Sequence, residues 1–154
     1  MLRISKLTDY GIVLLARFAE LDATATQSAR EMAEASALPF PVVGKVLKIL
    51  SQEGILASHR GAKGGYGLAR PAHEISVAEI VAALEGPIAL TECSAGPGHC
   101  DQESFCQVRA PWQHVNRAIY DTLRTVTLDQ LAHADDVPVL PISSGATASR
   151  GDHV

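Results

Sequence analysis

Apolar residues recur at three- and four-residue intervals in several stretches of the chain, which is the pattern of amphipathic helices. In the first stretch, residues 6–21, Leu14 and Phe18 fall on one helical face. Two later stretches begin with Ser-x-x-Glu, at Ser28 and at Ser76, a pattern in which each side chain can satisfy the other residue's free backbone N–H. We expect helices over residues 6–21, 28–36, 41–53, 76–84 and 111–126.

The second and third predicted helices are separated only by the turn Ala37-Leu38-Pro39, which is the spacing of a helix-turn-helix. Gly54 ends the third helix in the left-handed conformation that glycine adopts easily. Strand candidates at 55–58 and 66–68 then flank the glycine-rich residues 59–65, which predicts a hairpin. The expected fold class is mainly α, a winged helix-turn-helix with a two-stranded wing and a long C-terminal dimerisation helix.

The last predicted helix carries Val115, Ile119, Leu123 and Val126 at helical spacing. This stripe is too apolar for an exposed helix, so we expect it to form the interface of a homodimer. The predicted organisation is a winged-helix DNA-binding domain over 1–86, a cysteine-rich cluster-binding loop over 87–109, a dimerisation helix with a short following turn over 110–133, and a disordered tail over 134–154.

The composition is that of a globular protein, with 47% apolar and 19% charged residues in a chain of 154. No run approaches the roughly 18 consecutive apolar residues of a membrane span. Asp9 and Arg17 interrupt the apolar N-terminus and no small-residue cleavage site follows, so a signal peptide is not expected. We therefore expect a cytoplasmic protein with no membrane partner.

The net charge of −4 by itself argues against nucleic-acid binding. The charge is, however, distributed unevenly along the chain. Residues 39–70 carry five basic side chains against one acidic, whereas residues 71–154 carry four basic and eleven acidic. A basic region on an acidic body can bind phosphate while the body repels non-specific contacts. The alternative interpretation is that these five basic residues are ordinary solvated charge.

In a winged helix, the second helix of the pair enters the major groove and the basic hairpin tip approaches the backbone or the minor groove. We predict contacts with a double-stranded DNA operator from Phe40, Val42, Lys45, Lys48, Arg60, Lys63 and Tyr66. A plain turn is the other interpretation of the hairpin. A phosphate-binding enzyme loop is excluded because the Gly-Lys-Ser/Thr pattern is absent. No catalytic acid–base group stands out, so we predict neither an enzyme nor a small-molecule substrate.

Cys93, Cys100 and Cys106 are the three cysteines of the chain, with six and then five residues between them. An odd number in a chain expected to be cytoplasmic argues against disulfides. Burial of unreactive thiols is the alternative, but a loop rich in Gly, Pro and charge is a poor place to bury three of them. Clustered thiolates suit a soft metal centre, either zinc or iron–sulfur, and the lack of a Cys-x-x-Cys pair disfavours a zinc ribbon.

Three cysteines leave a 2Fe–2S or a 4Fe–4S cluster one ligand short. The candidates for the fourth ligand are Asp9, Glu92, His99 and His114. Each has an ordinary interpretation as well: the histidines as solvent-facing residues, and Asp9 as a carboxylate that favours the start of a helix.

Several segments together resemble one known family, the winged-helix transcription regulators that include the iron–sulfur regulator IscR and the nitric-oxide sensor NsrR. The matching pieces are Lys6-Leu-Thr-Asp-Tyr-Gly11, Leu47-Lys-Ile-Leu50, Arg60-Gly-Ala-Lys-Gly-Gly-Tyr-Gly-Leu68, the three-cysteine loop and Trp112-Gln-His-Val-Asn-Arg-Ala-Ile119. They span residues 1–132. The six-residue first gap, after Leu90-Thr-Glu-Cys93, is most similar to the branch that regulates the SUF iron–sulfur assembly operon.

The resemblance implies a homodimeric repressor of iron–sulfur cluster assembly genes. Its DNA affinity would be controlled by a cluster on the three cysteines, of the 2Fe–2S rather than the 4Fe–4S type. Where IscR places a histidine ligand, this chain has Arg109, which cannot serve as an ordinary ligand. NsrR-like members use an aspartate of the first helix that reaches the other subunit's loop, and Asp9 matches that position.

Two other functions stay open on the sequence. A thiol-redox or zinc-dependent transcription regulator would use the same cysteines without iron. An iron–sulfur electron-transfer protein would use the cluster but would not need the basic wing.

Overall fold

The computed structural model of the chain describes residues 3–133, so the disordered tail expected over 134–154 lies outside the described residues. Within them, the elements follow one another as α1 (Lys6–Ala19), α2 (Ala29–Ser36), α3 (Phe40–Gln52), β1 (Leu56–His59), β2 (Gly65–Leu68), α4 (Val77–Glu85), α5 (Glu92–Ala95), α6 (Arg109–Thr125) and α7 (Leu128–Ala132). The two strands form one antiparallel sheet. None of the helices in this range is both long and apolar enough to cross a membrane.

This architecture confirms the expected mainly α winged helix-turn-helix with a two-stranded wing. The local sequence signals account for the helix ends. Both Ser-x-x-Glu patterns form complete capping boxes, with Ser28 N–H donating to Glu31 at 2.7 Å and Ser76 N–H to Glu79 at 2.9 Å. Gly54 follows α3 with φ +73°, the left-handed conformation expected of it.

The structure differs from the sequence-based expectation in the cysteine-rich stretch, which was expected to be a loop throughout. Residues 92–95 form the short helix α5, and it contains Cys93, the only buried residue between 91 and 108. A helix of four residues has barely one turn, so it leaves no periodic pattern of apolar residues to be recognised.

One apolar core holds the N-terminal helices and the sheet together. Its fully or nearly fully buried members come from α1–α4, β1, α7 and the residues just before β1 and α4; they are Leu14, Leu15, Phe18, Met32, Ala33, Val43, Val46, Leu47, Leu50, Ile55, Leu56, Ile75, Ile80 and Leu128. Helix α1 contacts α3, α4 and α7 and therefore lies at the centre of this core. Helix α6, in contrast, contributes no buried residue.

The segment after α6 returns to the core. Val77 N–H donates to the Val126 carbonyl at 2.9 Å, and Leu128 N–H donates to the Ile75 carbonyl at 2.8 Å. The Leu128 side chain is completely buried. We therefore propose that α7 belongs to the same folded unit as α1–α4.

A carboxylate joins the start of α1 to the end of α4. Glu85 accepts hydrogen bonds from the backbone N–H of Ser5 at 2.7 Å and from the hydroxyl of Thr8 at 2.6 Å. Thr8 is completely buried, so its hydroxyl depends on this acceptor. Hydrogen bonds from Ser5 and Thr8 hold the pKa of Glu85 below its ordinary value of 4.5.

We expect Glu85→Gln to weaken the pH dependence of stability in acid. Because the folded-state pKa of Glu85 is lowered, its contribution is present above pH 4.5 and is lost as the pH falls through the folded-state pKa. Urea unfolding from about pH 7 to about pH 3 should show a shallower loss of unfolding free energy in Glu85→Gln than in the wild type. The exposed control Glu53→Gln should retain the wild-type slope, and equal slopes in all three proteins would contradict the account.

Candidate DNA interface and cysteine segment

Helix α3 separates its apolar and polar side chains cleanly. Val43, Val46, Leu47 and Leu50 are buried in the core, which fixes the orientation of the helix. The opposite side exposes Lys45 and Lys48, and Phe40 at the N-terminal end is 53% exposed. Val42 is half-buried and packs against the core. The exposed side is therefore formed by two lysines with one aromatic side chain at its N-terminal end.

The wing is the hairpin β1–β2 with its tip at residues 60–64. Leu56 pairs with Leu68 at the base and His59 pairs with Gly65 at the tip. Arg60 and Lys63 are both exposed on the tip. The hairpin therefore carries its two basic side chains at the end that lies farthest from the core.

The wing is attached to the segment before α2, a contact that the sequence did not reveal. Gln27 and Tyr66 exchange two backbone hydrogen bonds of 2.9 and 2.8 Å, and the Thr26 hydroxyl donates to the Lys63 carbonyl at 3.1 Å. The Tyr66 side chain is half-buried and packs against the core. Tyr66, predicted as a DNA contact, is thus also an anchor of the wing.

Two glycines of the wing are required by close backbone approach. A Cβ atom on Gly64 would lie 2.3 Å from the His59 carbonyl oxygen, and one on Gly65 would lie 2.6 Å from the Gln27 carbonyl oxygen. Both obstacles are backbone atoms, which cannot rotate away. The Gly-Gly pair therefore determines the path of the wing as well as its flexibility.

The basic region is smaller than the charge count along the sequence suggested. Lys45, Lys48, Arg60 and Lys63 are exposed. Arg70 instead forms an ion pair with Glu79 at 2.7 Å and donates to the Glu74 carbonyl at 3.1 Å. Within residues 39–70 the exposed positive charge is therefore carried by α3 and the tip of the wing.

We use the term cysteine segment for residues 91–108, which contain all three thiols. Cys93 is buried in α5, and its sulfur lies 3.2 Å from the Thr91 hydroxyl. Cys100 and Cys106 are partly exposed, and none of the three forms a disulfide. Three free thiols within 14 residues are in kind the donors that a soft metal or an iron–sulfur cluster takes.

Polar contacts with α6 hold the chain on both sides of Cys93. Asn116 accepts from Leu90 N–H at 2.9 Å and donates to the Ile88 carbonyl at 3.0 Å. Further along the chain, Glu103 forms an ion pair with Arg109 at 2.5 Å and accepts from Gly98 N–H at 2.6 Å. Helix α6 thus holds the chain just before the cysteine segment through Asn116, and the segment itself through the Glu103–Arg109 ion pair.

The predicted ligands are not assembled in a single chain. Over residues 3–133, no three His, Cys, Asp or Glu side chains lie close enough together to hold a metal ion. Cys93 and His114 line one groove beside α6, whereas Asp9 is exposed in a separate groove at the start of α1. Cys93 and Asp9, both predicted as ligands, therefore lie in different grooves of the described chain.

An exposed apolar row continues from the cysteine segment onto α6. Phe105 is 85% exposed, Val108 55%, and Trp112 and Val115 43% each. Ile119 and Leu123, predicted to belong to the same interface, are instead half-buried and line a cavity with Ile4, Val81 and Ile88. The sequence stripe therefore divides into a part that packs within the chain and a part that remains exposed.

A helix-turn-helix followed by a basic hairpin defines the class of winged-helix DNA-binding regulators. Comparison with known proteins specifies the family. The family model Rrf2, an iron-dependent transcriptional regulator, matches residues 4–134. The chain therefore belongs to the Rrf2 family; it is a transcription regulator and not an enzyme, and the resemblance seen in the sequence is confirmed.

Similar proteins support this assignment along most of the chain. The protein Rrf2 of Nitratidesulfovibrio vulgaris is 29% identical over 130 residues, which cover 84% of this chain and 87% of that protein. The transcriptional repressor NsrR of Streptomyces coelicolor is 29% identical over 140 residues, covering 90% of this chain and 94% of the repressor.

Solved structures show the same fold. The global cysteine regulator CymR of B. subtilis has a TM-score of 0.68 at 27% identity, covering 87% of this chain and 98% of CymR. T. potens IscR has a TM-score of 0.64 at 28% identity, covering 86% of this chain and 88% of that chain.

Proposed function

We propose that this chain is a homodimeric transcription repressor whose affinity for DNA is controlled by an iron–sulfur cluster. The observation that carries the proposal is the combination, in one Rrf2-family chain, of a basic winged helix with three free thiols in the cysteine segment. Its targets would be iron–sulfur cluster assembly genes, as the resemblance to the branch that regulates the SUF operon implies.

On DNA, α3 would enter the major groove with Phe40 at its exposed N-terminal end and with Lys45 and Lys48 on its outer side. Arg60 and Lys63 of the wing would contact the phosphate backbone, because their small, exposed tip can approach it closely. Val42 and Tyr66 would contribute only their outer edges, because both are half-buried.

The dimer would form through the exposed apolar row on α6. Trp112 and Val115 expose large apolar surfaces, and covering such surfaces is favourable by about 25 cal/mol for each Å² buried. A two-fold dimer would bind two half-sites about one helical turn of DNA apart, or a multiple of that distance. It would also bring a second α1, with its exposed Asp9, into the assembly.

Cys93, Cys100 and Cys106 would hold the cluster, with the partner subunit's Asp9 as the fourth ligand. When bound, a cluster of this kind supplies a centre that responds to oxidation and to iron supply. We expect the 2Fe–2S type. A carboxylate corner would be weaker than the thiolate corners, and Arg109, at the position of the IscR histidine, cannot replace it.

A second candidate function is regulation by the thiols alone, without iron. Two observations favour it: the thiols do not converge on a metal site within residues 3–133, and one similar structure is an oxidised form of Staphylococcus aureus CymR, at 30% identity over 85% of this chain. Iron and sulfide analysis of protein purified without oxygen separates the two functions.

We expect Lys63→Ala to weaken binding to all DNA sequences alike. Removal of one phosphate contact should reduce the slope of log affinity against log salt by about 1. Arg17→Ala removes the same charge from an exposed position on α1 and should leave the slope unchanged. A loss of affinity confined to particular base sequences would instead assign Lys63 to base recognition.

We expect Val115→Asp to convert the dimer into monomers, because it places a charge in the apolar row. Gln113→Asp adds the same charge to another exposed face of α6 and should leave the dimer intact. Sedimentation equilibrium measures both. Dimers in both variants would place the interface elsewhere, and monomeric wild-type protein would overturn the proposed assembly.

We expect Cys93→Ala, Cys100→Ala and Cys106→Ala each to abolish visible absorption in protein purified without oxygen. Asp9→Ala should retain a cluster with an altered spectrum and a shorter lifetime in air, because only the weaker corner is lost. Asp22→Ala, an exposed aspartate beyond the end of α1, is the matched control. If His99→Ala or His114→Ala changes the spectrum and Asp9→Ala does not, the fourth ligand is a histidine.

A further inference from the structure

One carboxylate in the cysteine segment closes two short loops of the backbone. Glu103 Oε2 accepts from Gly98 N–H at 2.6 Å, and Glu103 Oε1 pairs with Arg109 Nη2 at 2.5 Å. Cys100 lies in the first loop, between Gly98 and Glu103. Cys106 lies in the second, between Glu103 and Arg109. Each loop thus contains one of the two partly exposed thiols.

The same residues also bind the backbone of the cysteines. Glu103 N–H donates to the Cys100 carbonyl at 3.1 Å, and Arg109 N–H donates to the Cys106 carbonyl at 3.4 Å. Each cysteine is therefore connected to the Glu103–Arg109 pair through its own carbonyl as well as through the loop that contains it. Cys93 is held by other means, through burial in α5.

The Glu103–Arg109 pair differs from an ordinary surface salt bridge. The Glu103 side chain is only 17% exposed and that of Arg109 38% exposed, so water screens the pair less than it screens fully exposed charges. Both contacts of Glu103 are charge-assisted hydrogen bonds. Within residues 3–133 the Nε atom of Arg109 is buried without a hydrogen-bond partner, and Glu103 compensates the charge of its guanidinium.

We propose that Glu103 is the positioning residue of the cysteine segment. Together with Arg109, Glu103 holds Cys100 and Cys106 in place before any metal is bound. Arg109 then fixes the cysteine segment through its ion pair with Glu103. The role of this positioning in cluster binding rests on the proposed function. The positioning of Cys100 and Cys106 by Glu103 and Arg109 does not.

The direct test is the rate at which neutral iodoacetamide alkylates each thiol in the reduced, metal-free full-length protein. Glu103→Gln should raise the rates at Cys100 and Cys106 several-fold and leave Cys93 unchanged, as read by mass spectrometry of the peptides. Asp101→Asn removes a charge beside Cys100 from an exposed side chain and should not change the rates. Unchanged rates in Glu103→Gln, an equal rise at all three thiols, or an equal rise in Asp101→Asn would overturn the proposal.

Variants of the partner residue separate positioning from a general loss of structure. Arg109→Lys keeps the charge and should retain rates near the wild type, whereas Arg109→Gln should behave like Glu103→Gln. The double variant should add little to either single one, because both remove the same interaction. Independent, additive effects would show that the two residues do not act together.

Loading with iron and sulfide without oxygen then distinguishes this proposal from the proposed function. If the wild type forms a visible cluster, Glu103→Gln should lose it several-fold faster in air, with all three cysteines intact. An equal lifetime would contradict a positioning role in cluster binding. If the wild type binds no iron, the proposed function fails while the alkylation rates still decide whether Glu103 orders the thiols.

Discussion

The burial of α1 between α3, α4 and α7 is the interaction on which the rest of the structure depends. Leu14, Leu15 and Phe18 are the parts of α1 that are buried in the core. Gly11 shows how closely α4 approaches, because a Cβ atom there would lie 2.3 Å from a methyl group of Leu84. Helix α3, which we propose enters the major groove, and helix α4, which leads towards the cysteine segment, therefore both pack on α1.

The cysteine segment has no comparable core of its own. Between residues 91 and 108 only Cys93 is buried, and the neighbouring α6 has no buried residue. Polar contacts of Glu103 and Arg109 hold the segment, and Asn116 holds the chain just before it. A region with few buried apolar contacts opens at lower free energy than the core, which would suit the sensing role that we propose for the segment. Helix α4 ends at Glu85, shortly before the cysteine segment begins, and Glu85 is hydrogen-bonded to α1. The connection between the cysteine segment and the DNA-binding unit is therefore short.

Local signals allowed most of this fold to be predicted from the sequence. The capping residues Ser28 and Ser76 and the end of α3 at Gly54 involve only neighbours in the chain.

Contacts between distant residues could not be predicted in the same way. The bridge between Gln27 and Tyr66 involves one residue on each side, too few for a periodic pattern. The complete burial of Leu128 depends on where the whole of α7 docks, and the pairing of Arg70 with Glu79 depends on how β2 meets α4. The three cysteines were recognised from their spacing, but the role of Glu103 becomes visible only from its contacts.

The most direct test of the account compares iron and acid-labile sulfide content with DNA affinity in one sample purified without oxygen. The DNA is selected by the protein from a random pool, and affinity is measured before and after the iron is removed with a chelator. The account predicts equal amounts of iron and sulfide, and an affinity that changes about 5- to 150-fold on removal, the usual range of coupling between two sites. Protein that contains zinc or no metal, or that binds DNA equally well before and after chelation, would contradict it.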